Sequence, residues 1–261
     1  MKAIHSLVML IVLAVVGSTF VEPVYSAELT MGEAINKAGR QRMLSQRIIK
    51  AYAMMGQDVG YRKAKKQLRA SSALFESQLA ELKGFKVNSD ISDALLLVET
   101  QWEVVKEIIS EKPKRIHVAR LRTKSESLLH STHQVVVLLE STLNNKMGHE
   151  VNIAGRQRML TQRMASLYML QSWNFADELY KTNYDQAVSE FDKALKELQA
   201  APVNTAEINA GLVKVEQLWQ VFKLSDRVKD GGFVPTLVTR SLDKILVKMN
   251  EITGQYAALV K

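Results

Sequence analysis

The segment Ile35-Asn36-Lys37-Ala38-Gly39-Arg40-Gln41-Arg42-Met43-Leu44-Ser45-Gln46-Arg47 recurs later in the chain. Its second copy reads Val151-Asn152-Ile153-Ala154-Gly155-Arg156-Gln157-Arg158-Met159-Leu160-Thr161-Gln162-Arg163. The likeness continues past the motif at the same offset: Tyr52 meets Tyr168, Phe75 meets Phe191, and Leu79, Glu81 and Leu82 meet Leu195, Glu197 and Leu198. One residue of slippage later, Val98, Glu99 and Trp102 meet Val215, Glu216 and Trp219. A self-match of this length is a duplication of a whole folding unit, so whatever one half folds into, the other must fold into as well.

That unit reads as helical. The chain holds only 12 Gly and 4 Pro in 261 residues, and strong helix formers dominate what lies between them. The breaks divide the first copy into helices near 30–56, 60–83, 89–111 and 114–145, and the second into helices near 146–175, 180–200, 205–228 and 233–259. Four long helices joined by short loops make an up-and-down bundle. The expected fold is therefore all-α, with two tandem four-helix bundles: residues 27–145 and 146–261. Between Ser131 and Gln171 there is no proline and only Gly148 and Gly155. This stretch allows one continuous helix to join the bundles end to end as a rod.

Residues 1–26 have the pattern of a signal peptide: Lys2, an apolar run from Leu7 to Val16, then Pro23 and the small-residue close at Ser26. An apolar core of about ten residues falls short of the roughly 20 that span a bilayer, which favours cleavage and release into the periplasm. With no cysteine, disulfides and thiolate metal sites are ruled out. A net charge of +8 would suit nucleic acid, but export removes that partner. Small anions, acidic proteins and anionic lipid head groups remain.

On the motif helix, Leu44, Ile48, Ala51 and Met55 share one face, as do Leu160, Met164, Leu167 and Gln171 in the second copy, and these form the bundle core. A second stripe runs through Ile35, Gly39, Arg42, Gln46, Ile49 and Ala53, matched by Val151, Gly155, Arg158, Gln162, Ala165 and Met169. It is small and apolar apart from one arginine and one glutamine. An arginine held among small residues is desolvated and needs a carboxylate, backbone carbonyls or an anion. No Asp or Glu stands between Ile35 and Tyr52 or between Val151 and Tyr168. Two readings follow: a carboxylate reaches in from another helix, Glu76, Glu81, Glu99 or Glu103 being available, or a planar oxyanion takes the guanidinium fork with help from Gln46 or Gln162. Arg40 and Arg47, with Arg156 and Arg163 in the second copy, point away from this stripe and read as rim or ion-pair residues.

Other groupings carry less. Glu126, His130 and His133 have a helical spacing that a metal could use, but no second ligand cluster accompanies them, so no metal or cofactor is expected. Trp102, Trp219 and the methionines around the motif read as core. No nucleophile with a base, phosphate loop or zinc-protease motif occurs, and the chain is read as a non-enzyme.

The motif resembles the P-box of the periplasmic sensor domains of nitrate and nitrite sensor kinases. In its fuller Ala-Gly-Arg-Gln-Arg-Met-Leu-Ser/Thr-Gln-Arg form it is still more similar to the PilJ-type domain at the N-terminus of type IV pilus methyl-accepting chemotaxis transducers. The resemblance spans a bundle in each half. It implies a sensory module in which Arg42 and Arg158 bind a small anion, nitrate or nitrite by analogy, as the matching arginine of the nitrate sensors does at a dimer interface. Gly39, Gly155, Gln46 and Gln162 would lie beside them, and Lys37 would be an auxiliary cation. Lys37 has Ile153 as its counterpart, and Arg40-Gln41 and Arg156-Gln157 replace the small apolar pair of the nitrate sensors. The implied partners are a membrane-bound sensor, transducer or envelope protein, and a homodimer if the bundles lie end to end. The other class of function in view is a structural module docking on a pilus, chemoreceptor or envelope protein.

Overall fold

The computed structural model describes residues 29–143, 147–175, 178–227 and 232–260. The expected signal segment, residues 1–26, lies outside them. Eight α-helices carry the described chain: α1 (Met31–Gly56), α2 (Tyr61–Gly84), α3 (Ser89–Ser110), α4 (Val118–Ser141), α5 (Met147–Ser172), α6 (Glu178–Gln199), α7 (Ala206–Arg227) and α8 (Pro235–Leu259). A 3-10 turn at Arg115–His117 leads into α4. All eight fall within a few residues of the spans expected from sequence, and no strand occurs among the described residues.

Helix α1 packs on α2 and α4, and α5 packs on α6 and α8, with α3 and α7 completing each group. The outer helices bury one stripe each. In α2 this stripe is Ala64, Leu68, Ser71, Phe75, Leu79 and Leu82, and in α6 it is Tyr180, Tyr184, Ala187, Phe191, Leu195 and Leu198. Phe75 stacks on Trp102 with ring centroids 4.3 Å apart, and Phe191 meets Trp219 at the same separation. Both tryptophans are core residues, as expected, and each indole N–H donates to an acid on the neighbouring helix: Trp102 to Glu76 and Trp219 to Asp192.

The continuous helix allowed between residues 131 and 171 does not form: α4 ends at Ser141 and α5 begins at Met147. The end-to-end rod is corrected with it, because α1 and α5 lie side by side in the most extensive helix contact of the molecule. An unbroken helix would carry α5 on along the direction of α4. Reversing the chain there runs α5 parallel to α1 and brings each motif against its own duplicate. The helices are in register: Gly39 faces Gly155, Arg47 reaches Gln162, and the Gln57 amide donates to the Met169 carbonyl.

This side-by-side arrangement buries α1 and α5 on almost every side. It explains why the motif has two non-polar stripes: one faces its own bundle and the other faces the partner motif. Several motif residues build the frame. Gln41 and Gln157 donate to the Phe75 and Phe191 carbonyls, at 3.1 and 2.9 Å, tying each motif helix to its neighbour. Farther along, the hydroxyls of Tyr52 and Tyr168 accept from the backbone N–H of Lys114 and Val234, pinning the entry to α4 and α8.

Candidate functional site

Where α1 crosses α5, the backbones approach over Gly39 and Gly155. A Cβ built on Gly39 would stand 3.8 Å from the Gly155 Cα and 3.3 Å from the Nη2 atoms of both Arg42 and Arg158. A Cβ on Gly155 would meet the same two Nη2 atoms at 3.2 and 3.3 Å. Each arginine thus ends over the glycine pair, and the absence of side chains there lets the two guanidinium ends flank one spot.

Both arginines are buried, Arg42 at 2% and Arg158 at 0% exposure. Neither has a carboxylate in hydrogen-bond contact. Arg42 donates to the Asn152 carbonyl (3.1 Å) and lies 3.1 Å from His133 Nδ1, the acceptor when that nitrogen is unprotonated. Arg158 donates to the Asn36 carbonyl (3.0 Å), the Asn36 side-chain oxygen (2.8 Å) and the Asn250 side-chain oxygen (3.3 Å). The bonds cross between copies, each arginine reaching the asparagine of the other motif. The Nε of each arginine and the Nε2 of Gln46 are buried without an acceptor.

The charge is correspondingly unfavourable. Burial, followed by repulsion from Arg156, pushes Arg42 down to about 9 against the pull of Glu140, which bonds the Asn152 side chain rather than the guanidinium, and this leaves Arg42 charged at neutral pH. Burial, with repulsion from Arg40 and Arg42, holds Arg158 well below the usual arginine value. The four glutamates that could have entered from other helices are engaged elsewhere: Glu81 with Lys37, Glu99 with Lys83, and Glu76 and Glu103 with Lys106.

The remaining basic residues divide as their helix positions suggest. Lys37 is spent on Glu81 and does not join the seam. Arg156 pairs with Glu190 at 2.7 Å and Arg163 with Glu126 at 2.8 Å, both as ion pairs. Arg47 reaches the Gln162 side-chain oxygen at 3.4 Å, and half-buried Arg40 lies within the field of Glu81. Gln162 also donates to Asp243 at 3.2 Å. The Glu126, His130 and His133 grouping does share α4, but Glu126 is taken by Arg163 and His133 by Arg42.

Sequence reasoning assigned no part in these polar contacts to Asn36, Asn152, His133, Asn250 or Lys50. Asn36 and Asn152 stand in the repeated segment, and their doubling was the signal that could have identified them. His133 and Asn250 are matched by the duplication, and they are the equivalent acceptors for Arg42 and Arg158. Lys50, at 0% exposure, forms a 2.7 Å pair with Asp243; burial lowers it to about 8 against the pull of that carboxylate. Its counterpart is Ser166, so the repeat gave no signal for it.

These features define a class: a duplicated helical module organised around a polar, arginine-bearing seam between its halves. The sequence profile described as "Type IV pili methyl-accepting chemotaxis transducer N-term" (PilJ) matches residues 25–124 and 141–225, and the chain belongs to this family. No curated protein and no solved structure matches it. The family is a sensory module of chemotaxis transducers related to pili, sensory rather than catalytic, and typically extracytoplasmic. Among the described residues no helix is long and apolar enough to cross a membrane.

Proposed function

We propose that the protein is a periplasmic sensory module, exported by its N-terminal signal, that recognises a small oxyanion at the Arg42–Arg158 seam and passes the signal to a membrane-bound transducer or envelope partner. The observation that carries this reading is a pair of buried guanidiniums without a carboxylate between them, each with an unspent Nε donor. Buried charges of like sign are costly, and an anion between them offsets both desolvation and repulsion. It also adds charge-assisted hydrogen bonds. The resemblance to the P-box makes nitrate and nitrite the first ligands to try. Occupancy would favour the packing of α1 on α5 that brings the arginines together, which is how binding becomes a signal. Both arginines come from one chain, so the seam needs no second molecule.

The test is thermal denaturation of purified protein in nitrate, nitrite and other oxyanions, against chloride at equal ionic strength. A rise in Tm with one anion, absent in the Arg42→Met/Arg158→Met variant, is the expected result. Methionine keeps much of the volume and removes the charge, so the variant is expected to fold. An unchanged Tm in every anion would refute the reading and favour a docking module.

A further inference from the structure

Beside the seam, on one side only of Arg42, a cleft of about 270 Å³ opens between α4, α5 and α6. It joins the two halves of the molecule, because α4 belongs to the first copy and α5 and α6 to the second. Leu129, Met159, Leu160 and Ala187 give it apolar surface. Two ion pairs also line it, Arg163 with Glu126 and Arg156 with Glu190. The buried Arg42 borders it with His133, and Arg42 Nε has no acceptor. His130 and Asn183 line it too and are engaged in no hydrogen bond among the described residues.

The duplication supplies an internal comparison. In the equivalent groove of the other side, α2 has Ala70 and Leu74 where α6 has Gln186 and Glu190, and α8 has Val247 where α4 has His130. Bundle packing alone requires none of these polar groups, since the first copy folds the same helix pair without them. Both grooves keep one acid and two arginines, with Asp243, Arg40 and Arg47 standing for Glu126, Arg156 and Arg163, but the cleft adds a second acid, a histidine and an amide that its duplicate lacks.

The geometry points to this cleft as a binding site for a free amino acid, whose carboxylate meets Arg42 and Arg156 and whose ammonium meets Glu126 or Glu190. Its volume suits a molecule of that size, below the usual range for drug-sized ligands. Three arginines exclude a simple cation. Two glutamates disfavour a simple anion, while a zwitterion offers each sign of charge its partner and can lay an aliphatic side chain on Leu129, Met159 and Leu160. The site is separate from an oxyanion seat in the seam. Arg42 touches both, but Arg158 and the glycine pair do not border the cleft.

The experiment is calorimetry and thermal denaturation of purified protein with each of the twenty amino acids, with the carboxylic acid lacking the amino group, and with nitrate. The site predicts that one or a few amino acids bind, with a Tm rise of roughly 5 °C or more at a hundredfold excess over Kd. Binding should weaken at least tenfold in Glu126→Gln/Glu190→Gln, in Arg156→Ala, and for the desamino acid. These variants change side chains on the cleft rim rather than in the core, and circular dichroism is the check on their folding. Silence toward every amino acid, or equal affinity for the desamino acid, overturns the proposal. A nitrate response with amino-acid silence rejects the cleft and keeps the seam; the reverse pattern rejects the seam and keeps the cleft.

Discussion

The two copies of the motif place Arg42 and Arg158 in the same position and then surround them differently. Arg158 is closed in by amides: Asn36 and Asn250 supply neutral oxygens that do not titrate, and three hydrogen bonds hold it. Arg42 has His133 where Arg158 has Asn250, and it borders an open cleft that Arg158 does not. A similar divergence appears one step along the helices. Asp243 serves Lys50 and Gln162 in the interior, whereas its counterpart Glu126 serves the partly exposed Arg163. Duplication kept the frame and freed one side to change its chemistry.

The largest expected effect separates the two acids. Asp243→Asn leaves the fully buried Lys50 with no carboxylate, so that it must either keep an unpaired charge or give up its proton, and should cost about 3–5 kcal/mol in urea unfolding. Glu126→Gln exposes Arg163 to solvent already within reach and should cost about 1 kcal/mol or less. Equal losses would mean that the two ion pairs are not as differently placed as their burial indicates.

A second contrast lies at Gly32 and its counterpart Gly148. A Cβ on Gly32 would come within 2.3 Å of the Ala257 carbonyl oxygen, a backbone atom that cannot turn aside. At Gly148 the nearest atom is the end of the Leu143 side chain, at 2.6 Å, which can rotate away. Gly32→Ala should destabilise by about 1–3 kcal/mol through overpacking. Gly148→Ala should be close to neutral, the helix preference for alanine offsetting the small rearrangement. Melting temperatures of the two variants would check the order.

The smallest effect is one of pH. Burial, then the charges of Arg42, Arg156 and His130, lower the His133 pKa in the folded protein, while Glu140 opposes them. Over the window from the unfolded histidine value near 6.5 down through the folded one, the unfolded chain binds more protons. Stability contributed by neutral His133 is therefore present above that window and lost as pH falls through it. His133→Asn copies the second half of the molecule and should flatten this part of the stability profile. A slope unchanged in the variant would assign it to another group.

Much of the fold was legible because it rests on local signals. Scarce Gly and Pro, helical periodicity and the repeated segment identify eight helices and their approximate limits. The repeat also singles out Arg42 and Arg158, since an arginine in a small-residue stripe stands out from its neighbours. Their acceptors were harder to see. An asparagine or histidine reads as an ordinary polar residue until it is known which helix it faces, and Asn36 and Asn152 were present in the motif without any sign that each serves the other copy. Lys50 was hidden for the same reason, its acid lying on α8.

By itself the sequence determined an all-helical chain, a duplicated unit and two arginines that must be desolvated, because periodicity and composition act within a helix. Only the tertiary structure decided that the chain reverses between Ser141 and Met147, that α1 and α5 then lie parallel, and that both arginines meet over Gly39 and Gly155 in a single molecule. The stretch from 131 to 171 has the local propensity to run on as one helix. What overrides it is the burial gained by laying two apolar stripes against each other, a long-range term that no local window contains.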